Sequence, residues 1–503
     1  MPDALSEVRA PAPGSEVLQA IETALVRHRA FGDSLYIRQQ LTAAYLRRLH
    51  KLRTALPQAS QLVDQLQLAT PERQRQQVAD TVLRCAVQHA MRQLALGDEY
   101  GLALPQCDAL FGLAAEHLRL GLPGAPLVAG LAPQFLLAGD GTTSVWPGPG
   151  ATPASPHASA FLDIMQENYG APLATPTASE MAMLRRGLQL PDTLLPRLTR
   201  SALSHVQLLA LFPKVGTWCG KASSSQFRVN GAIFLNRELI GNPWWLAEHL
   251  LHEALHQKLY DFRHGHSLLA PGHARDDAAR VCSLWNAPDE SQSHYWDAHR
   301  TLAAFHVYVQ LALLCLLAEQ HEEALAPGYG AIGQQMSGSR RAIDRARYLG
   351  EQLRATIWPE LGEAGRQMTL WLLAVLDELD IERRPAGASL HLLLDLYARQ
   401  GRKLDAFLEH ADANDAARLG EQAQADLTLA RTALLELGEA ALVHDEPSWP
   451  QARKQVLQAL TPVAQDRSGN YMRRRGYPRA RALVTQMVQQ SSRQLAALGA
   501  LGA

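Results

Sequence analysis

Residues 244–262 read WWLAEHLLHEALHQKLYDF, and the reading of this stretch decides what the chain is built around. Leu251, Leu255 and Leu259 recur at four-residue spacing, so they line one stripe of an α-helix. Asn242-Pro243, just upstream, suits a helix start, because proline is favoured in the first turn. The spacing therefore predicts a helix running to about Phe262. Inside it lies His252-Glu253-Ala254-Leu255-His256, the pattern H-E-x-x-H.

Residues four apart on a helix are separated by about 40° around its axis. His252 and His256 thus project from one face, one turn apart, where two imidazoles can share one ion. Glu253 lies about 100° round from His252, near the ion without being needed as a ligand. Nine of the 19 histidines fall between His249 and His306, a local enrichment that favours a metal site over a chance match. Two ligands do not complete a site, and the third decides the chemistry. The long zinc-peptidase signature H-E-x-x-H-x-x-G-x-x-H fails: Leu259 stands at its glycine and Phe262 at its last histidine. An acidic third ligand would be Asp276 or Asp277, if ARDDAARVCSLW is helical. His306 is the other candidate. It lies in TLAAFHVYVQLALLCLLA (301–318), 18 residues without Asp, Glu, Lys or Arg. A histidine buried there needs a partner. Gln310 follows one turn later on the same face, as a supporting or substrate-facing group. His249 is the reserve ligand, and His264, His266 and His273 read as solvated loop residues.

Outward from the helix, VQLLALF (206–212) and QFRVNGAIFLN (226–236) are apolar runs bounded by turn residues, which suits strands. Residues 17–121 and nearly everything after the Gly-rich break near 327–338 show helical spacing. The expected fold is mainly α with a small β element beside the metal-binding helix. The expected division is a helical N-terminal region (1–121), a Pro/Gly-rich connector (122–158), a catalytic core (159–350) and a helical C-terminal region (351–503). The apolar stretch 301–318 matches a membrane span in length. Its His306 and Gln310, and the lack of a second such stretch, favour a buried core helix instead.

Composition narrows the class. The chain has 503 residues, 47% hydrophobic and 19% charged, with 48 basic and 49 acidic side chains. That balance suits a folded protein of two or three domains. It does not suggest binding to nucleic acid or a membrane surface. Five cysteines without a C-x-x-C pair read as reduced core thiols. The start, MPDALSEVRAPAPGSE, has no basic or apolar signal region, so a cytoplasmic location is expected.

The stretches GAIFLNREL, LAEHLLHEALHQKLYDF and RTLAAFHVYVQLAL together resemble the HExxH-motif, α-ketoglutarate-dependent peptide β-hydroxylases, the peptide-modification proteins of ribosomally made natural-product clusters. The resemblance covers about 206–350. It implies Fe(II), α-ketoglutarate and O₂ as cofactors, with iron held by His252, His256 and His306. The family often has a second histidine where this chain has Gln310. The resemblance further implies an arginine for the distal carboxylate of the keto acid, since a guanidinium matches a carboxylate bidentately. An Arg-Ala-x-Tyr-Leu block maps to Arg345 through Leu349, so Arg345 with Tyr348 is the first choice and Arg300 the second. The partner it implies is a precursor peptide, leader plus core. YMRRRGYPRAR (471–481), with Arg473, Arg474 and Arg475, is a candidate for gripping an acidic leader. The alternative is a zinc metallopeptidase with Glu253 as general base, and a third class is a non-catalytic peptide-binding scaffold.

Overall fold

A computed structural model describes residues 9–10, 12–97, 101–129, 131–137, 143–148, 155–286, 293–333, 335–382, 389–439, 449–464 and 474–498. The chain forms two compact units: Gly14–Ser267 with Leu317–Met336, and Met1–Pro13 with Leu268–Leu316 and Ser337–Ala503. We call them the metal-helix unit and the C-terminal unit. Residues 159–350 contribute to both units. The fold class is as expected: 17 α-helices and a few short strands among the described residues.

The metal-helix unit contains α1 (Ser15–Arg27), α2 (Ser34–Leu52), α3 (Pro57–Leu68), α4 (Pro71–Val78), α5 (Thr81–Leu96), α6 (Leu104–Arg119), α7 (Pro156–Tyr169), α8 (Ala178–Leu194), α9 (Pro196–Leu203) and α10 (Pro243–Gly265). Four short strands accompany them: β1 (Ser144–Val145), β2 (Leu208–Phe212), β3 (Ser223–Ser224) and β4 (Ala232–Asn236). Their order is β1-β2-β4-β3, with β1, β2 and β4 parallel and β3 antiparallel at the edge. LLALF and AIFLN lack polar alternation because both faces of β2 and β4 are buried. The strands expected at 206–212 and 226–236 are thus present but shorter, and Phe227–Val229 is a 3₁₀ turn.

The Pro/Gly-rich segment 122–158 is more than a connector. Its Ser144–Val145 pairs with β2 as a sheet strand. Leu127 N donates to the buried Asp80 carboxylate at 2.7 Å, while the other Asp80 oxygen accepts from Leu83 N and caps α5.

Two glycines allow close packing, one between α8 and α10 and one between the start of β4 and α5. A Cβ at Gly187 would stand 2.2 Å from Leu246 Cδ2, so a larger residue there would force Leu246 or the α8–α10 packing to shift. Gly231 has φ +95° and its missing Cβ would meet Thr81 Oγ1 at 2.8 Å, a conformation and a space that favour glycine.

The C-terminal unit holds β5 (Val281–Cys282), antiparallel to β6 (Tyr295–Trp296), and then α11 (Ala298–Tyr329), which ends in the metal-helix unit. It continues with α12 (Ser339–Ala355), α13 (Glu363–Leu379) and a packed group of α14 (Ser389–Leu408), α15 (Ala413–Glu436), α16 (Trp449–Ala464) and α17 (Tyr477–Ala497). α11 alone among the described helices is long and apolar enough to cross a membrane, and 89% of its most apolar window is buried in the protein. Cys85, Cys107 and Cys315 are buried free thiols, Cys282 is half-buried, and Cys219 is exposed, unlike the core position expected of it.

Candidate metal centre

The site begins with the cap of α10. The Asn242 side chain accepts from Trp244 N and Trp245 N at 3.0 Å each, and Pro243 occupies the first turn. From there the helix presents three faces. Leu246, Leu250, Leu251, Leu255, Leu259 and Phe262 are buried and fix it in the core. Fully burying one such side chain contributes about 2 kcal/mol. His252 and His256 lie half-buried on a second face, with Nε2 atoms 3.1 Å apart.

The third face is polar and sets the rotation of the helix. Ser223 Oγ and Ser225 Oγ each donate to a Glu253 oxygen at 2.5 Å. One turn on, Gln257 is fully buried: its Oε1 accepts from Gly231 N at 2.7 Å and its Nε2 donates to Ala232 O at 2.8 Å. A further turn on, Asp261 pairs with Arg84 at 2.9 Å and with His205 Nδ1 at 2.6 Å. Arg84 also donates to Asn230. Burial pushes the His205 imidazole down to about 4, so it is the neutral ring whose Nδ1–H donates to Asp261. Although burial works against it, Arg84 and His205 hold the Asp261 carboxyl below its usual value. The row Glu253, Gln257, Asp261 therefore pins α10 to β3, β4 and α5, and so aims His252 and His256.

Rings run the length of the second face. Trp245 stacks on His249 at 4.1 Å between centroids, and His249, His252, His256 and Tyr260 follow at 6.3, 4.8 and 6.0 Å. Phe227 lies 5.8 Å from Tyr260 and 4.7 Å from His264. His249 Nδ1 is engaged by Trp245 O at 2.9 Å, which leaves its Nε2 as the nitrogen for a reserve-ligand role.

Several expected residues belong to the C-terminal unit. His306 is buried on α11 in the C-terminal unit, with Gln310 Nε2 3.0 Å from its Nε2 and also donating to His306 O at 3.0 Å. Arg345, Tyr348 and Arg300 gather around two tryptophans of that unit. The Arg345 guanidinium lies 5.1 Å from the Trp285 ring and donates to Tyr308 Oη at 3.1 Å. Tyr348 Oη donates to Cys282 O at 2.7 Å, and burial raises its phenol well above the usual value. Arg300 is exposed, bonds Ser293 O at 2.9 Å and covers Trp296 at 4.8 Å. Trp285 and Trp296 are themselves 5.5 Å apart.

The helix over 274–285 that an acidic third ligand would require does not form. Residues 271–277 are turns and 281–282 are strand, and Asp277 pairs with Arg275 on the surface at 3.2 Å. The physical reason is Pro271-Gly272, which starts a turn with Gly272 at φ +88°. His264 is not a solvated loop residue either. It ends α10, packs on Tyr45 and Phe227, and has Arg48 Nη1 3.0 Å from its Nδ1. His266 stacks on Phe262 at 4.3 Å. Arg473 lies outside the described residues, whereas Arg474 pairs with Glu439 at 2.7 Å and Arg479 with Glu436 at 3.1 Å. Sequence reasoning missed Ser223, Ser225 and the polar row of α10. The row itself had a signal: three polar residues at four-residue spacing inside an apolar helix.

The residue types suit a metal ion at the histidine pair and, within the C-terminal unit, a carboxylate near Arg345. Among the described residues, His252, Glu253 and His256 form the one group of three or more potential ligands, with ligand atoms all within 4.8 Å of one another. Two imidazole nitrogens 3.1 Å apart can share one ion. The same separation also suits an N–H···N bond between two neutral rings in the metal-free protein. For the keto acid, Arg345 Nε, Trp296 Nε1 and Ser283 Oγ are buried donors without a partner among the described residues. Buried donors of this kind want an acceptor such as a carboxylate. No family model matches the chain, and no curated protein matches it.

Proposed function

We propose that the chain is an Fe(II), α-ketoglutarate-dependent oxygenase that hydroxylates a side-chain β-carbon of a ribosomally made precursor peptide. The observation that carries this reading is the His252–His256 pair, two imidazole nitrogens 3.1 Å apart on a half-buried face of α10. When bound, iron and the keto acid supply the oxidising power for C–H hydroxylation, which no side chain provides. The chain's own residues bind, aim and shield. His252 and His256 hold the metal, and the resemblance carries His306 as the third ligand. Arg345, with Tyr348 or Arg300 beside it, takes the distal carboxylate of the keto acid. Glu253 holds Ser223 and Ser225 and so keeps the helix in rotation. Leu251, Leu255 and Leu259, all buried, exclude water behind the pair.

One observation favours the second reading, a zinc peptidase: the Glu253 carboxylate stands inside the three-residue group. A general base must be free to receive a proton from a metal-bound water. Here both Glu253 oxygens already accept a serine hydroxyl at 2.5 Å, which supports an anchoring role instead. The deciding experiment is anaerobic reconstitution with Fe(II), followed by α-ketoglutarate, O₂ and a peptide encoded beside the gene. Succinate together with a gain of about 16 Da, both lost with His306→Ala and weakened but not abolished with Glu253→Gln, is the expected result. Peptide cleavage with Zn(II), independent of the keto acid and abolished by Glu253→Gln, would overturn it in favour of the peptidase.

A further inference from the structure

The four-stranded sheet has two unlike edges. At β1, Ser144 and Val145 are buried and Ser144 also bridges Leu136, so that edge is closed. At the other edge, β3 pairs with β4 alone among the described strands and is half-buried. The register shows which way its main chain points. Ser223 faces Leu235 and Ser224 faces Phe234, while Asn236 N donates to Ala222 O at 3.0 Å. Bonded and unbonded pairs alternate along an antiparallel ladder. Ala222–Asn236 is a bonded pair, so Ser223–Leu235 is an unbonded one, and the Ser223 N–H and C=O point away from β4. The chain stays extended to Gln226 (φ −136°, ψ 142°), so Ser225 repeats the orientation of Ser223. The side chains agree with this phase. The Ser223 and Ser225 hydroxyls both reach Glu253, while Ser224 between them meets Tyr169 Oη at 3.3 Å. Outward main-chain groups form a template for another strand, and proteins commonly blunt such an edge with charge or proline. The run Ser223-Ser224-Ser225-Gln226 has neither. The cation just before it, Lys221, lies over the Tyr169 and Trp218 rings at 5.1 and 5.2 Å. The shortness of β3 limits chance pairing, yet the extended, uncharged run continues past it. Glu253, which both serines hold, stands in the same group as His252 and His256.

We propose that the outer edge of β3 is the docking site for an extended segment of the substrate peptide, which adds to the sheet as a further strand beside the His252–His256 pair. The proposal rests on the peptide reading given above and names how the peptide is held. Extended main chain is the occupant because it matches what the edge offers, a donor and an acceptor repeating at every second residue. An added strand runs about 4.8 Å beyond its neighbour. β3 is itself one serine side chain from Glu253, so that spacing keeps the segment within reach of the metal pair. Directly paired residues on adjacent strands turn their side chains to the same face. The peptide residue opposite Ser223 therefore turns toward α10, as Ser223 does, and is the one presented for modification. Its two neighbours turn the other way. Recognition through the main chain tolerates varied side chains in the segment but not the loss of a paired amide N–H.

The test is binding to the full-length, metal-free chain, measured by fluorescence anisotropy. The probes are the peptide encoded beside the gene, fluorescein-labelled, and copies of it N-methylated at one amide at a time. N-methylation removes a main-chain donor and leaves every side chain in place. A loss of affinity of at least tenfold is expected at alternate amides over one short stretch, with little change elsewhere. On the protein, Ser223→Pro removes the outward N–H without touching a bond to β4, since proline is tolerated in an edge strand whose N–H faces outward. It should weaken binding at least tenfold relative to Ser223→Ala, which loses the same hydroxyl bond to Glu253 but keeps the N–H. Melting curves and Co(II) absorption spectra show whether both variants fold. Deuterium exchange reads the unaltered protein: saturating peptide should slow the Ser223 and Ser225 amides at least tenfold. No binding of the peptide, indifference to N-methylation at every position, equal affinity in folded Ser223→Pro and Ser223→Ala, or unchanged exchange at both amides would overturn the edge. Binding with the alternating pattern but no hydroxylation by the iron-loaded enzyme would leave the edge standing and sink the catalytic reading. Hydroxylation with an unchanged KM for every N-methylated copy would do the reverse.

Discussion

Gln257 offers a direct test of whether the polar row aims the histidines. Its amide closes two bonds to adjacent backbone groups at the start of β4, Gly231 N–H at 2.7 Å and Ala232 C=O at 2.8 Å, with no solvent exposure. Gln257→Leu keeps the volume but orphans both groups. An unsatisfied buried backbone group costs about 1–3 kcal/mol, so the variant should lose about 3 kcal/mol, with new apolar contact recovering part of the loss. Gln257→Glu should lose less from the Gly231 side, which keeps its acceptor, but its carboxylate would face the Ala232 carbonyl. Urea denaturation gives the stability change. Titration with Co(II), followed by its absorption bands, gives the affinity of the His pair, which should fall roughly tenfold as α10 loses its rotational anchor. A stability change under about 0.5 kcal/mol together with unaltered Co(II) affinity would refute the idea that this row positions the site.

Three other outcomes are expected. His252→Ala and His256→Ala should each abolish tight Co(II) binding, while His249→Ala, whose ring stacks on Trp245, should retain it in the same titration. Arg345→Lys should raise the KM for α-ketoglutarate at least tenfold with a smaller change in kcat, because a lysine cannot form the bidentate pair; steady-state succinate release measures both. Stability should also fall on acidification. His89 is buried, its Nδ1 accepts from Leu102 N at 3.1 Å, and burial, with Arg92 nearby, pushes its ring down to about 4. Its folded value is depressed below the unfolded one, so the contribution is full above about pH 6.5 and is lost as pH falls toward 4. The loss is up to about 3 kcal/mol. Urea midpoints taken across that window should slope downward in the wild type and less so in His89→Gln.

Much of the metal helix was legible because its signals are local. Asn242-Pro243 marks the cap, the leucines mark the buried stripe, and the four-residue spacing of His252 and His256 fixes their common face. The small sheet was legible for a related reason: a strand buried on both faces reads as an unbroken apolar run. What escaped was set by distant parts of the chain. Ser223 and Ser225 look like ordinary turn residues until β3 returns beside α10 and aims them at Glu253. The chemistry of His264 depended on Tyr45 and Arg48, more than two hundred residues earlier, so its solvated reading had nothing local to correct it. The spacing of ARDDAARVCSLW left a helix around Asp276 open, because it does not show that Pro271-Gly272 begins a turn. Neither unit is a continuous stretch of sequence, and nothing local in the chain marks such a division.

The interleaving of the two units bears on how the protein is made. The unit holding α10 is not complete at Ser267; it also takes Leu317–Met336. The Trp244 indole at the head of α10 donates to Gly330 O at 2.9 Å, and Arg186 donates to Gly328 O. On a ribosome adding about 5–20 residues per second, α10 emerges several seconds before the segment that satisfies it. During that interval it displays two histidines, two tryptophans and a leucine stripe with part of its packing still unsynthesised. A nascent chain in that state would meet cellular zinc and chaperones before it could meet its completed fold. No single cut in the gene separates the two units, so truncated fragments are a poor route to studying either.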